Sequence, residues 1–370
     1  MQADFRIPVI MSDKKLRIII TVDPEIPVPP FHYGGIERVV YMLVCGLAER
    51  GHEVHLFAHP ESKTPAKLIP WRGRKSSSFL DTMLNALQIK NYVKEIGGID
   101  IIHSFSRLAY LLFLMKSSIP KIQSYQRHIN PRSIRMGIIL GGKTLTFTAV
   151  SASCARTANF VGGKWSIIYN GTSLNAYDFI PKVSSDAPLV FLGRVERIKG
   201  AHTAIKVAKI TGRRLIIAGN HAVSGKEYEY FSKEILPHCD GKNVIYAGPV
   251  NDKQKNELLG SSAALLFPIE WEEPCGIVVS EAFACGTPVI AFSRGSVPEV
   301  VKHKVTGFIC NTIDEMVEAV KDISSIERLN CRKNAEGLFS DKVIISKYED
   351  AYYSCILNRE VGKTRIKSSS

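Results

Sequence analysis

The sequence alternates two kinds of segment, and it does so twice. Short runs of strand length, rich in β-branched and other apolar residues, are followed by longer stretches with helical spacing. In the second half the runs are APLVFLG, RRLIIAG, NVIYAG, ALLFPI and TPVIAF. The helical stretches among and after them are GAHTAIKVAKITG, KEYEYFSKEIL, DKQKNELLGSS, GIVVSEAFACG and SVPEVVKH. The first half opens with LRIIITV, passes through the Pro-rich loop DPEIPVPPFHYGG, and continues with the amphipathic stretch IERVVYMLVCGLAERG, closed by Gly51. Strands follow at HEVHLFA, IDIIHSF, IPKIQSY and LTFTAVS. Strands separated by helices are joined by crossovers, so neighbours run parallel and helices cover both sheet faces. The pattern predicts two doubly wound α/β domains, and 370 residues with 45% apolar content suffice for two cores. The seam falls in NAYDFIPKVSSDAPLV, which is largely polar and carries Pro181 and Pro188. This gives domains over residues 1–183 and 184–344. Facing one another across a cleft, two such domains would hold a ligand at the carboxyl ends of their strands.

Bulk properties exclude several classes. The longest apolar run, Leu108 to Met115, is far too short to cross a bilayer. The opening MQADFRIPVIMSDKK lacks a long apolar core and reads as an extension before the first strand, not a signal peptide. Eight cysteines are scattered singly without a CxxC pair, which reads as reduced thiols and a cytoplasmic chain. The net charge of +13 favours anionic partners, phosphorylated ligands among them. It is spread along the chain without a nucleic-acid-binding signature, so no nucleic acid partner is expected. The basic terminal NREVGKTRIKSSS reads as a solvated tail.

The chemistry concentrates in EWEEPCGIVVSEAFACGTPVIAF. A strand runs into a loop, Pro274 suits a first helical turn, and the helix is expected from about Cys275 to Gly286. Its first amides, on Cys275, Gly276 and Ile277, are unpaired donors at the positive end of a helix, a ready phosphate site. Glu273 and Glu281 lie eight residues apart, roughly 12 Å at helical rise, on about one side. That spacing suits a nucleotide sugar, with a carboxylate for the hydroxyl groups at each end and the diphosphate between. VFLGRVERIKG supplies cations, Arg194 and Lys199, after a strand and before a helix. In YGGIERV, Gly34 and Gly35 end the first βα loop and allow close approach to a phosphate.

At these residues the sequence resembles the family four retaining nucleotide-sugar glycosyltransferases, whose fold is GT-B. In its details it is similar to the subgroup around an avilamycin-pathway glycosyltransferase. FHYGGIERVVYMLVCGLAERGHEV looks like the family's glycine loop and first helix, and FLGRVERIKG like its phosphate loop. EEPCGIVVSEAFACGTPVIAF resembles the E-x7-E signature, and SRGSVPEVVKHKVTGFI the segment that follows it. The resemblance implies that Arg194 and Lys199 hold the diphosphate, that Glu273 meets the sugar, and that the Gly276 and Ile277 amides help hold the distal phosphate. It assigns Glu281 to the ribose and the backbone of the loop ending at Val250 to the base. It also implies that a final helix, about residues 345–370, returns to the first domain. Two positions depart from the family pattern: Cys275 stands where Phe is usual, and Phe105 replaces the second of two histidines, leaving His103 as a catalytic candidate.

The reading is a metal-independent transferase that moves a hexose from a nucleotide diphosphate sugar, a UDP-sugar, to an acceptor hydroxyl with retention. The product would be a polysaccharide or glycoconjugate. The acceptor is a small molecule, a glycan or a lipid-linked species. No D-x-D pair offers a metal site, and no cofactor beyond the donor is expected. Arg107, Gln126 and Arg127 are acceptor-side candidates, with His128 beside them. The +13 charge also allows peripheral contact at the inner face of an anionic membrane. Two alternatives stand beside this: a nucleotide-sugar 2-epimerase of the same architecture, and a non-catalytic polyanion-binding protein.

Overall fold

The computed structural model describes residues 14–31, 34–127 and 129–367, with backbone only for residues 159 and 360–367. Residues 1–13, 32–33, His128 and 368–370 lie outside the described residues. The chain forms two compact units. One comprises Met1–Tyr169 with Asp341–Ser370, the other Asn170–Ser340.

The first unit carries a seven-stranded parallel sheet in the order β3-β2-β1-β4-β5-β6-β7. Its strands are β1 (Arg17–Thr21), β2 (Glu53–Ala58), β3 (Lys67–Pro70), β4 (Ile101–Ser104), β5 (Lys121–Tyr125), β6 (Leu145–Ala149) and β7 (Trp165–Ile167). Central strands are buried on both faces, so they read as unbroken apolar runs: Ile18, Ile19 and Ile20 are all inaccessible to solvent. The 27-residue helix Asp341–Lys367 belongs to this unit and packs on the helix Gly35–Glu49. Gly46 makes the approach close, because a Cβ there would lie 2.0 Å from Ile345 Cδ1. Glu349 fixes the register by pairing with Arg50 and with His52 Nε2 at 2.7 Å.

The second unit has a six-stranded parallel sheet in the order β10-β9-β8-β11-β12-β13. These are β8 (Leu189–Leu192), β9 (Leu215–Ala218), β10 (Val244–Gly248), β11 (Ala264–Phe267), β12 (Val289–Phe292) and β13 (Gly307–Cys310). Both sheets have the doubly wound arrangement that the sequence predicts. The seam differs: residues 170–183 join the second unit, not the first. Thr172 N–H donates to Phe339 O at 2.8 Å, and Ile180 N–H to Cys285 O at 3.1 Å. Buried Arg328 closes the joint, donating to Ile180 O, Ser262 O, Gly260 O and Thr287 Oγ1 at 2.6–2.9 Å. A buried guanidinium needs such full satisfaction, so the linking segment is locked to this unit before β8 begins.

Candidate functional site

In the second unit the cationic loop and the acidic loop meet at the carboxyl ends of β8 and β11. After β8 the chain passes through Gly193 to Arg194, whose guanidinium pairs with Glu196 at 2.5 Å. A short turn, Arg197–Lys199, then sets Lys199 Nζ against Glu273 Oε2 and 5.0 Å from the Trp271 ring centre. Trp271 Nε1 donates to the same carboxylate oxygen at 2.9 Å. The sequence assigned Lys199 to a phosphate and Glu273 to sugar hydroxyls; without ligand the two neutralise each other. Glu273 is 9% exposed, so a facing cation lowers the cost of keeping its charge.

The helix behind this loop begins later than expected, at Ile277, and ends at Ala284. Glu273 therefore precedes it, and helical rise does not set its distance from Glu281. Between them Gly276 takes φ +66° as N-cap, a conformation that disfavours a side chain, and a Cβ there would sit 2.9 Å from the Phe267 ring. The first-turn amides of Ile277 and Val278 have no intrahelical acceptor and point out of the helix start. Cys275 is buried beside them.

Glu281 lies within the helix, 7% exposed. It accepts from Tyr177 OH at 2.8 Å and from Lys255 Nζ at 2.5 Å. Burial, and then the neighbouring Glu281 charge, push the Tyr177 phenol far up, so it stays protonated and donating. Lys255 also lies 3.3 Å from Asp252. Neither Tyr177 nor Lys255 is marked by any motif. Val250 is half-buried between β10 and the helix Asp252–Ser261, which Asn251 opens with a capping box to Gln254. Nearby, His221 stacks on Phe231 with ring centres 3.9 Å apart, and Tyr246 OH donates to Gly219 O at 2.8 Å. This aromatic cluster, too, the sequence reading missed.

In the first unit, Gly34 is the extended N-cap of the helix that Gly35 begins, pressed so closely on Pro30 that a Cβ would lie 2.7 Å away. Arg107, Gln126 and Arg127 follow β4 and β5, at the carboxyl end of the sheet. Arg107 donates to Ser76 O, and Arg127 Nη2 lies 3.5 Å from Asp23 Oδ2. Both polar atoms of the Gln126 amide, and Asp23 Oδ1, are buried without a partner among the described residues. Burial raises the Asp23 carboxyl despite Arg127, and also raises Glu37 in the adjoining helix. Asp23 and Glu37 were not anticipated, although Asp23 directly follows the first strand and could have been.

His103, expected as a catalytic candidate, lies in the interior of the first unit. It is 0% exposed in β4, with Nδ1 2.7 Å from Tyr352 OH and Nε2 2.6 Å from Ser124 Oγ. Phe105 and Tyr348 close on its ring at 4.2 and 5.0 Å. Burial drives its pKa down to about 3. With both ring nitrogens engaged, His103 packs here as part of the unit's core.

Comparison with known proteins also divides the chain in two, with the change near residue 177. Residues 33–176 match the model described as Glycosyltransferase Family 4, and residues 178–337 the model described as Glycosyl transferases group 1. An N-acetyl-alpha-D-glucosaminyl L-malate synthase of Bacillus anthracis is 33% identical over 130 residues, 32% of this chain and 33% of that protein. An alpha-1,3/1,6-mannosyltransferase of Homo sapiens is 31% identical over 203 residues, 51% of this chain and 48% of that one. Matched stretches thus cover from a third to somewhat over half of such curated relatives, up to 58% for a Klebsiella pneumoniae protein from a cps region. Among solved structures, AviGT4, a glycosyltransferase involved in avilamycin A biosynthesis, superposes with a TM-score of 0.68 at 25% identity, covering 92% of this chain and 98% of that one. Anabaena HepE in complex with UDP and glucose gives 0.70 at 18% identity, covering 91% and 99%.

Proposed function

We propose that this chain, which has a GT-B fold and matches a family 4 glycosyltransferase model in its first half and a group 1 model in its second, carries out the retaining transfer of a hexose from a UDP-sugar to an acceptor hydroxyl. The observation that carries the reading is the Lys199–Glu273 ion pair, with Arg194 and the Gly276–Ile277 helix start on the strand ends around it. An arriving diphosphate gives Lys199 a second anion. Its ammonium then turns toward phosphate, Arg194 supplies a fork of donors, and the Gly276 and Ile277 amides take an equatorial oxygen. Glu273 is released in the same movement to accept from hexose hydroxyls. Glu281 accepts from the ribose hydroxyls while Lys255 holds its charge in place, and the backbone at Val250 meets the base. HepE, a structural neighbour, was solved with UDP, which supports that choice of nucleotide.

In the first unit Asp23, Arg107, Gln126 and Arg127 offer donors and acceptors for the acceptor molecule, a glycan, a small molecule or a lipid-linked species. The departing phosphate oxygen takes the acceptor proton on the same face of the sugar, which keeps the anomeric configuration. The chain's contribution is positioning and charge stabilisation, from arginine, lysine and a helix start in place of a metal. None of the eight cysteines forms a disulfide, which fits a reducing cytoplasm. The test is calorimetric titration with UDP and with uridine. Arg194→Ala and Lys199→Ala each weaken UDP by about 10- to 100-fold, from charge-assisted bonds of roughly 1.5–3 kcal/mol, and leave uridine nearly unchanged. Parent-like UDP affinity in both variants refutes the assignment.

A further inference from the structure

Between Asp100 and Asp178 the sequence has no Asp or Glu and nine Lys or Arg. Up to Tyr169 this acid-free stretch belongs to the first unit. The helix Pro131–Gly141 lies at its centre. Gly137 and Gly141 seat it against Leu108 and Met115, at either end of the turn Leu108–Leu114, while Ile138 packs on Gly163 from the loop before β7. Its outward residues are Arg132, Arg135, Met136 and Ile139, spaced to share one face, with Lys143 just past its end. Met136 is 58% and Ile139 70% exposed. Phe160, 73% exposed, lies on the turn Asn159–Val161, which packs beside this helix. Among the described residues no acid pairs with Arg132, Arg135 or Lys143.

We infer that this face docks on an anionic lipid bilayer, the helix Pro131–Gly141 lying in the interface with Met136, Ile139 and Phe160 among the acyl chains. Large exposed side chains ringed by cations without counter-charges match a surface that is anionic outside and apolar beneath. The guanidinium and ammonium groups stay at headgroup level while their stems and the apolar tips go deeper. A nucleic acid would use the cations and leave the apolar tips in water. The inference stands on this surface alone and does not depend on the transfer chemistry.

The test is sedimentation of the full chain with phosphatidylcholine vesicles, with and without phosphatidylglycerol, at low and high salt. The parent pellets with the anionic vesicles and hardly with the neutral ones. Arg132→Gln, Arg135→Gln and Lys143→Gln lower partitioning about fivefold each, on the order of 100-fold together. Met136→Ser with Ile139→Ser lowers it about tenfold and abolishes whatever survives high salt. Leu236→Ser, at an apolar site 50% exposed in the second unit, changes nothing. Melting temperatures, and their rise with UDP, match the parent in all variants, which separates this result from loss of fold or of the donor site. Absence of pelleting overturns the inference. So does pelleting that both groups of substitutions leave intact. So does binding to duplex DNA that matches the vesicles and ignores the apolar pair, which makes the face a polyanion site. A parent dimer that the apolar substitutions dissociate, without vesicle binding, overturns it in favour of a self-interface.

Discussion

Lowering the pH should destabilise the first unit through His103, by an amount its burial sets. In the folded state the ring titrates near pH 3, against an ordinary value of 6.5. The cause is burial, and both nitrogens are already engaged by Tyr352 and Ser124. On unfolding the ring takes up a proton at any pH below about 6.5. Stability from this group is therefore complete above that value and falls as pH drops toward 3. At 1.36 kcal/mol per pH unit, the loss through His103 between pH 7 and pH 5 is about 2 kcal/mol. His103→Gln removes the titration while keeping a polar side chain between the two hydroxyls. The variant should be less stable at pH 7, by about 1–3 kcal/mol for the lost ring contacts, yet show a flatter acid limb. Urea unfolding at stepped pH, followed by fluorescence in a Trp271→Phe background, reads the first unit through Trp71 and Trp165. Parent and variant should converge by about 2 kcal/mol between pH 7 and 5. Parallel curves would refute the buried neutral ring and return His103 to the list of groups that could meet a substrate.

Two further perturbations probe the second unit. Lys255→Met leaves Glu281 buried with Tyr177 as its remaining side-chain donor among the described residues, and should cost about 1–3 kcal/mol of stability while raising the donor KM; thermal unfolding with initial rates checks it, and an unchanged melting temperature would show the ion pair to be idle. Gly276→Ala meets both the φ of +66° and the Phe267 ring, so it should cost about 1–2 kcal/mol and weaken UDP binding, with Phe267→Leu restoring part of both; full stability without any second substitution would refute the strained cap.

How much of this could be read from the chain depends on what each residue answers to. Strands such as LRIIITV and ALLFPI were legible because burial on both faces leaves no polar positions to break the run. The short strands KLIP, WSI and GFIC were not assigned from sequence: all three lie at sheet edges, and KLIP and WSI have no buried residue to mark them as strands. The helix Asp341–Lys367 was placed from family likeness, since its apolar residues show little periodicity, and it extends into the stretch read as a loose tail. The cations and carboxylates of the second unit stood out because each follows a strand and precedes a helix. Their partnerships did not, because Lys199 and Glu273 are 74 residues apart and Tyr177 and Glu281 are 104 apart. Only the crossover order of the sheet brings them together.

His103 shows the same limit from the other side. At the end of the apolar strand IDIIHSF it had the appearance of a group aimed at a ligand. What decided its role was Tyr352, 249 residues away on the helix Asp341–Lys367, which covers that face of the sheet and supplies one of its two hydrogen bonds. A strand residue's side alternates with position, but what lies over that side is chosen by whichever element returns to it. In this chain the last helix returns, and it packs on the imidazole that the family pattern marks as a catalytic candidate.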